Sequence, residues 1–157
     1  MKIRHPLFIG LVAALAVSLA IGAASAVAAK TTPFKGKVTT VETSQLVFPF
    51  LSVNREGTGT ATHLGKFTET FRAQVDVRTA SATGTATFTA ANGDTLTASV
   101  VGQGTTTGPT TRSIVEVYTI TGGTGRFAGA TGTFTLRRTL ELTTGVSSGT
   151  FLGAIDH

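Results

Sequence analysis

The chain has 157 residues, no cysteine, no tryptophan and a formal net charge of +5. That length is one domain, and the missing cysteines exclude a disulfide scaffold or a thiolate metal centre. The basic residues are scattered, with only Arg137 and Arg138 adjacent, so neither a basic stripe nor an aromatic stacking platform for nucleic acid is legible.

The first segment has the layout of a secretory leader. Met1-Lys-Ile-Arg4 is positive, Leu7 to Ile21 is apolar, and Ala24 to Ala29 is a run of small residues. Small residues allow cleavage after Ala26, Ala28 or Ala29, with Ala28 or Ala29 preferred; the alternative is an uncleaved anchor, since residues 7–29 carry no charge. The expected division is therefore a leader over 1–28 and one domain over 29–157, secreted or held in the periplasm or cell envelope. Removing Lys2 and Arg4 leaves 11 basic and 8 acidic residues, a net charge of +3.

Beyond the leader, threonine and glycine dominate and no amphipathic helical run stands out, while apolar and polar residues alternate. Strands are expected over 34–43, 45–53, 57–62, 66–78, 83–90, 94–102, 113–121, 131–142 and 148–155. The segment Thr58-Gly-Thr-Ala-Thr62 recurs as Thr83-Gly-Thr-Ala-Thr87, with looser copies at Thr131 and Ser148. Each places threonines on one face and Gly with Ala or Phe on the other. Leu46-Val-Phe-Pro-Phe-Leu51 is the most apolar stretch, and Pro49 makes it an edge or a bend, packed over a barrel end or exposed for self-association or ligand access. Residues 102–111 are expected as a mobile Gly/Thr loop.

Side-chain parity selects the turns. A three-residue loop Ala91-Asn92-Gly93 sets Phe88 opposite Leu96 and Ala86 opposite Ala98, with Gly93 left-handed. The same device at His63-Leu64-Gly65 sets Gly59 and Ala61 opposite Glu69 and Phe67, with Gly65 left-handed. Eight strands, or nine, in hairpin order without helices give an all-β, antiparallel up-and-down barrel, with a β-sandwich as the alternative. An outer-membrane barrel would carry aromatic girdles, and the mature chain has one tyrosine and no tryptophan.

Three charges fall on otherwise apolar faces: Glu69 between Phe67 and Phe71, Glu116 between Ile114 and Tyr118, and Arg138 between Leu136 and Leu140. Inside a barrel they must be paired or hydrogen-bonded. They are either a structural Glu–Arg set or polar anchors for a ligand, with Glu69 and Glu116 the candidates for acid–base work. Phe67, Phe71, Phe88, Leu96, Phe134 and Leu136 would line the lumen, and Tyr118 would pack in its wall or offer a hydroxyl. His63 and His157 are the only histidines after the leader, so no imidazole metal site or other cofactor is expected. No nucleophile motif such as G-x-S-x-G occurs.

Residues 120–132, Ile-Thr-Gly-Gly-Thr-Gly-Arg-Phe-Ala-Gly-Ala-Thr-Gly, formally contain a G-x-G-x-x-A dinucleotide pattern. A strand rather than a helix is expected to follow, which removes the phosphate site. The stretch instead resembles the I/V-x-G-G-[ST]-G-x-F-x-G-x-x-G segment of plant allene oxide cyclases, and dirigent proteins have a related one. The matching positions are Gly122, Gly123, Thr124, Gly125, Phe127, Gly129 and Gly132. The resemblance implies an eight-stranded barrel holding an apolar molecule, and a trimer as one oligomeric state. The chain has no cysteine to match the one associated with the cyclase pocket.

The leading functional expectation is a small exported barrel that binds an apolar or aromatic ligand without turnover. Alternatives are a cyclase- or isomerase-like enzyme, and a structural or surface-associated domain whose barrel is filled by its own side chains.

Overall fold

A computed structural model describes residues 31–157; the expected leader and its cleavage sites lie outside the described residues. Eight strands follow in chain order: β1 (Thr32–Val47), β2 (Phe50–Ala61), β3 (Gly65–Asp76), β4 (Ser81–Ala90), β5 (Thr95–Thr106), β6 (Thr111–Gly123), β7 (Thr131–Glu141) and β8 (Val146–Asp156). Each pairs antiparallel with the next, and β1 also pairs with β8. Closing the sheet on itself gives every strand two neighbours, which a sandwich does not do. The fold is the up-and-down barrel.

The nine expected segments become eight because 34–43, 45–53 and 57–62 merge into two long strands. Thr43 and Ser44 continue β1, and Asn54, Arg55 and Glu56 continue β2. The chain reverses at Phe48-Pro49, a cis peptide bond. The apolar stretch is thus a hairpin tip, and it does not pack over the barrel end: Leu46, Val47, Phe48 and Phe50 are all exposed. β1 outruns β8, whose pairing stops at Val41.

The β4–β5 hairpin has the expected register, Phe88 opposite Leu96 and Ala86 opposite Ala98, with φ +88° at Gly93. The β2–β3 hairpin also keeps Gly65 left-handed, at φ +67°, but its register differs by two: Gly59 faces Phe67 and Ala61 faces Gly65. The reason is Thr62. Its N–H donates to the Lys35 carbonyl and its hydroxyl to that of Pro33, so Thr62 is drawn toward β1 and the loop becomes Thr62-His63-Leu64. A shift of two leaves every side chain on its expected face. The expected loop over 102–111 shrinks to 107–110, because Gly102 to Thr106 pair with Glu116 to Arg112. Gly102 is wanted there: a Cβ would press within 3.1 Å of the Glu116 side chain.

Most threonines face outward, Thr40 being buried in the interior, and the lumen divides into halves. One half is a plug of aromatic rings. Tyr118 stacks on Phe134 with centroids 4.5 Å apart, Phe34, Phe88 and Phe151 meet that pair at 5.1–5.9 Å, and Phe67 packs behind them against Phe88 and Phe151 at 5.5 and 6.2 Å. The glycine-rich segment closes this end. Its 3-10 turn, Gly125–Phe127, drives Phe127 into full burial, and β7 follows directly. Gly132 then starts β7 at φ +132°, where a Cβ would collide with the Ala154 carbonyl oxygen.

Two glycines separate backbone strain from steric collision. Gly65→Ala, with open space around its missing Cβ, should cost about 1–2 kcal/mol. Gly132→Ala should cost about 3 kcal/mol or more, since strain and collision add there. Urea unfolding of both variants checks this, and equal losses would contradict the geometry.

Candidate functional site

Midway along the barrel, β2, β3 and β7 each turn one ionisable side chain inward, and β6 turns two. From β2 comes Arg55, which is 1% exposed. Its Nη1 donates to Glu116 Oε1 and Oε2 at 2.9 and 3.0 Å. Its Nη2 donates to Glu69 Oε1 at 2.7 Å and to the Tyr118 hydroxyl oxygen at 2.6 Å. The guanidinium plane also lies over Phe71, 3.9 Å from the ring centroid, a desolvated cation–π contact. Tyr118 Oη donates onward to Glu116 Oε2 at 3.0 Å.

Arg138 extends the network toward the open end. Its Nη2 donates to Glu116 Oε1 at 3.1 Å, and its Nη1 reaches Glu42 Oε2 at 3.0 Å and Ser147 Oγ at 3.1 Å. Ser147 and Thr40 share a further hydroxyl bond of 2.7 Å. Two guanidiniums thus face two fully buried carboxylates, with Glu42 nearer solvent. Two buried atoms, Arg55 Nε and Glu69 Oε2, have no partner.

Mutual charge decides the protonation states. Burial alone would raise the Glu116 pKa, but Arg55 and Arg138 together hold it below the ordinary carboxylate value. Burial pushes the Tyr118 phenol well above its ordinary value, against the pull of Arg55 and with the help of Glu116 and Glu69. For Arg55, burial lowers the pKa, but Tyr118, Glu116 and Glu69 outweigh it and the net shift is upward. Glu116, Tyr118 and Arg55 therefore keep one protonation state through neutral pH.

Above this network, on the side away from the aromatic plug, lies an open cavity of about 230 Å³. Leu51, Val53, Phe71, Val75, Ile114 and Leu140 supply apolar wall, Glu116 and Arg138 supply polar surface, and Gln103 and Arg112 also reach it. Of the ten residues singled out in the sequence, Phe71, Glu116 and Arg138 line this cavity. Glu69 and Tyr118 lie in the hydrogen-bonded network. Phe67, Phe88, Leu96, Phe134 and Leu136 are core residues instead, because the aromatic rings meet one another and fill their half of the lumen.

Arg55 is the residue that sequence reasoning missed. The signal was present: Leu51, Val53, Arg55, Gly57, Gly59 and Ala61 share one parity, but breaking the strand between Val53 and Gly57 hid it. The expected Glu–Arg pair exists as Arg138 with Glu116, whereas Glu69 pairs with Arg55. Among the described residues, no three His, Cys, Asp or Glu side chains come together as metal ligands. Comparison with protein-family models, curated proteins and solved structures gives no significant match.

Two outcomes are expected. Arg55→Met should cost about 3–5 kcal/mol, since it leaves Glu69 buried and uncompensated and takes one of two cations from Glu116, and adding Glu69→Met should recover part of the loss; a double-mutant cycle in urea measures it. For pH, the depressed Glu116 pKa gives stability that is present above the ordinary carboxylate value of 4.5 and lost as pH falls through the folded value. The raised Tyr118 pKa gives stability that is present below 10.0 and lost at higher pH. Thermal melts across this range should show a plateau without a step contributed by these groups at neutrality, and Glu116→Gln should flatten the acid limb.

Proposed function

We infer that this barrel binds one small apolar or aromatic molecule, non-covalently and without turnover, in the cavity at its open end. One observation carries the reading: an apolar-walled cavity with Phe71 in its wall and the locked Glu116–Arg138 pair in its lining. Such a site holds an apolar body by burial and orients it through few polar contacts. At about 230 Å³ it exceeds the ~150 Å³ that encloses benzene and falls short of the ~300 Å³ at which drug-sized pockets begin. The occupant is a short-chain molecule or one of one or two fused rings.

The absence of turnover is supported by the pairing. A general acid or base works best with a pKa near the operating pH, and Glu116 and Tyr118 are both driven away from it. The resemblance of residues 120–132 to barrels that hold apolar molecules agrees with the binding part, and the apolar, positively started N-terminus supports export.

Native mass spectrometry of the purified chain should find one retained small molecule per barrel. Phenol and indole, titrated against the protein freed of that molecule, should shift the amide resonances of Ala73, Ala82 and Leu140. Ala82→Leu, which fills the cavity, should remove those shifts while changing the melting temperature little. Chemical conversion of the retained molecule, suppressed by Glu116→Gln, would overturn the non-catalytic reading; shifts that persist in Ala82→Leu would overturn the site.

A further inference from the structure

The outer wall carries a second feature, independent of the lumen. Cross-strand register aligns Arg137 of β7 with Thr150 of β8, Thr150 with Lys37 of β1, Lys37 with Thr60 of β2, and Thr60 with Lys66 of β3. One row across five strands therefore alternates cation, hydroxyl, cation, hydroxyl, cation. All five side chains point outward and are exposed. None of the three cations forms an ion pair among the described residues. The wall forms a shallow, open groove here of about 910 Å³, and its lining contains no carboxylate. The neighbouring row, Ser148, Thr39, Thr58, Thr68 and Thr89, adds hydroxyls to the groove.

We propose that this groove binds a linear acidic polysaccharide, with Arg137, Lys37 and Lys66 each meeting one anionic group. Adjacent strands lie about 4.8 Å apart, so alternate strands place the cations about 10 Å apart along the sheet and the whole row spans about 19 Å. A polysaccharide with one acidic group per disaccharide presents its charges at a matching interval. The threonines between the cations meet sugar hydroxyls as donors and acceptors. A nucleic acid fits poorly, since a duplex carries a charge for about every 3.4 Å of axial rise per strand, a denser array than three cations in the row, and base stacking requires exposed aromatic faces. Phe67, the aromatic residue of the lining, is buried in the core.

The attraction is between exposed charges and weakens as ionic strength rises. The test is calorimetric titration with a hyaluronan hexasaccharide and an unsulfated chondroitin hexasaccharide, against neutral dextran and single-stranded poly(dT). Both acidic oligosaccharides should bind, with affinity falling as salt increases, and dextran should not. The triple variant Lys37→Gln, Lys66→Gln, Arg137→Gln should weaken binding at least tenfold at unchanged melting temperature. Thr60→Glu, which sets a like charge in mid-row, should do the same, whereas Arg72→Gln outside the groove should not. No binding, equal binding in the triple variant or in Thr60→Glu, or tighter binding of poly(dT) would each overturn the proposal. Phenol and indole shifts should be the same in the triple variant, so this groove and the cavity can fail separately.

Discussion

Arg55 is the group around which the interior is arranged. A guanidinium removed from water is tolerable only when charges and acceptors surround it, and four inward positions on two other strands supply them: Glu69 and Phe71 on β3, Glu116 and Tyr118 on β6. Each is placed by the two-residue period of its strand, so the pairing of charges and the register of the sheet specify each other. A slip of one residue on β2 would turn Arg55 into solvent, leave Glu69 buried opposite no cation and leave Glu116 with Arg138 alone. Hydrophobic contacts alone would resist such a slip less sharply.

The network also explains why the lumen has two unlike halves. Phe34, Phe67, Phe88, Phe134 and Phe151 can pack without gaps beside the ring of Tyr118, whose hydroxyl faces the charges. Tyr118 is thus the joint between the apolar plug and the polar layer. Beyond that layer the inward positions include the small residues Ala73, Ala82, Gly102 and Gly104, and the cavity is the space they leave beside Leu51, Val75, Ile114 and Leu140. The glycines that shape the closed end and those that open the other do opposite work: Gly132 lets backbones touch, while Gly102 makes room for a carboxylate.

Much of this was legible in the residues. Alternation gave the strands and their faces, and parity gave the β4–β5 register to the residue, because Asn92-Gly93 offers few other turns. The charged positions Glu69, Glu116 and Arg138 stood out because each interrupts an apolar face. What stayed hidden was longer in range. Arg55 lies in a run of Asn, Arg, Glu and Gly that reads as a turn until β1 and β3 flank it on both sides. Thr62 looked like the end of a strand, and its bonds to Pro33 and Lys35 depend on a neighbour 27 to 29 residues away. Which rings fill the lumen and which border a space is a matter of volume, and a face pattern carries no volume. The cation row on the outer wall is hidden for a related reason: its members come from five strands and are neighbours only through the ladder.

The overhang of β1 has a separate consequence. Closure pairs both sides of a strand only as far as its neighbours extend, and β8 leaves β1 at Val41, with one further bond from the Glu42 amide to Gly145. The last residues of β1 therefore present backbone donors and acceptors along one side, next to the bare side chains of Leu46, Val47 and Phe48. An otherwise seamless cylinder carries a short strip of raw sheet edge with apolar flanks. Such a strip is a template on which a second chain can add a strand, so the open backbone sites for self-pairing sit in one hairpin rather than on the threonine-covered wall.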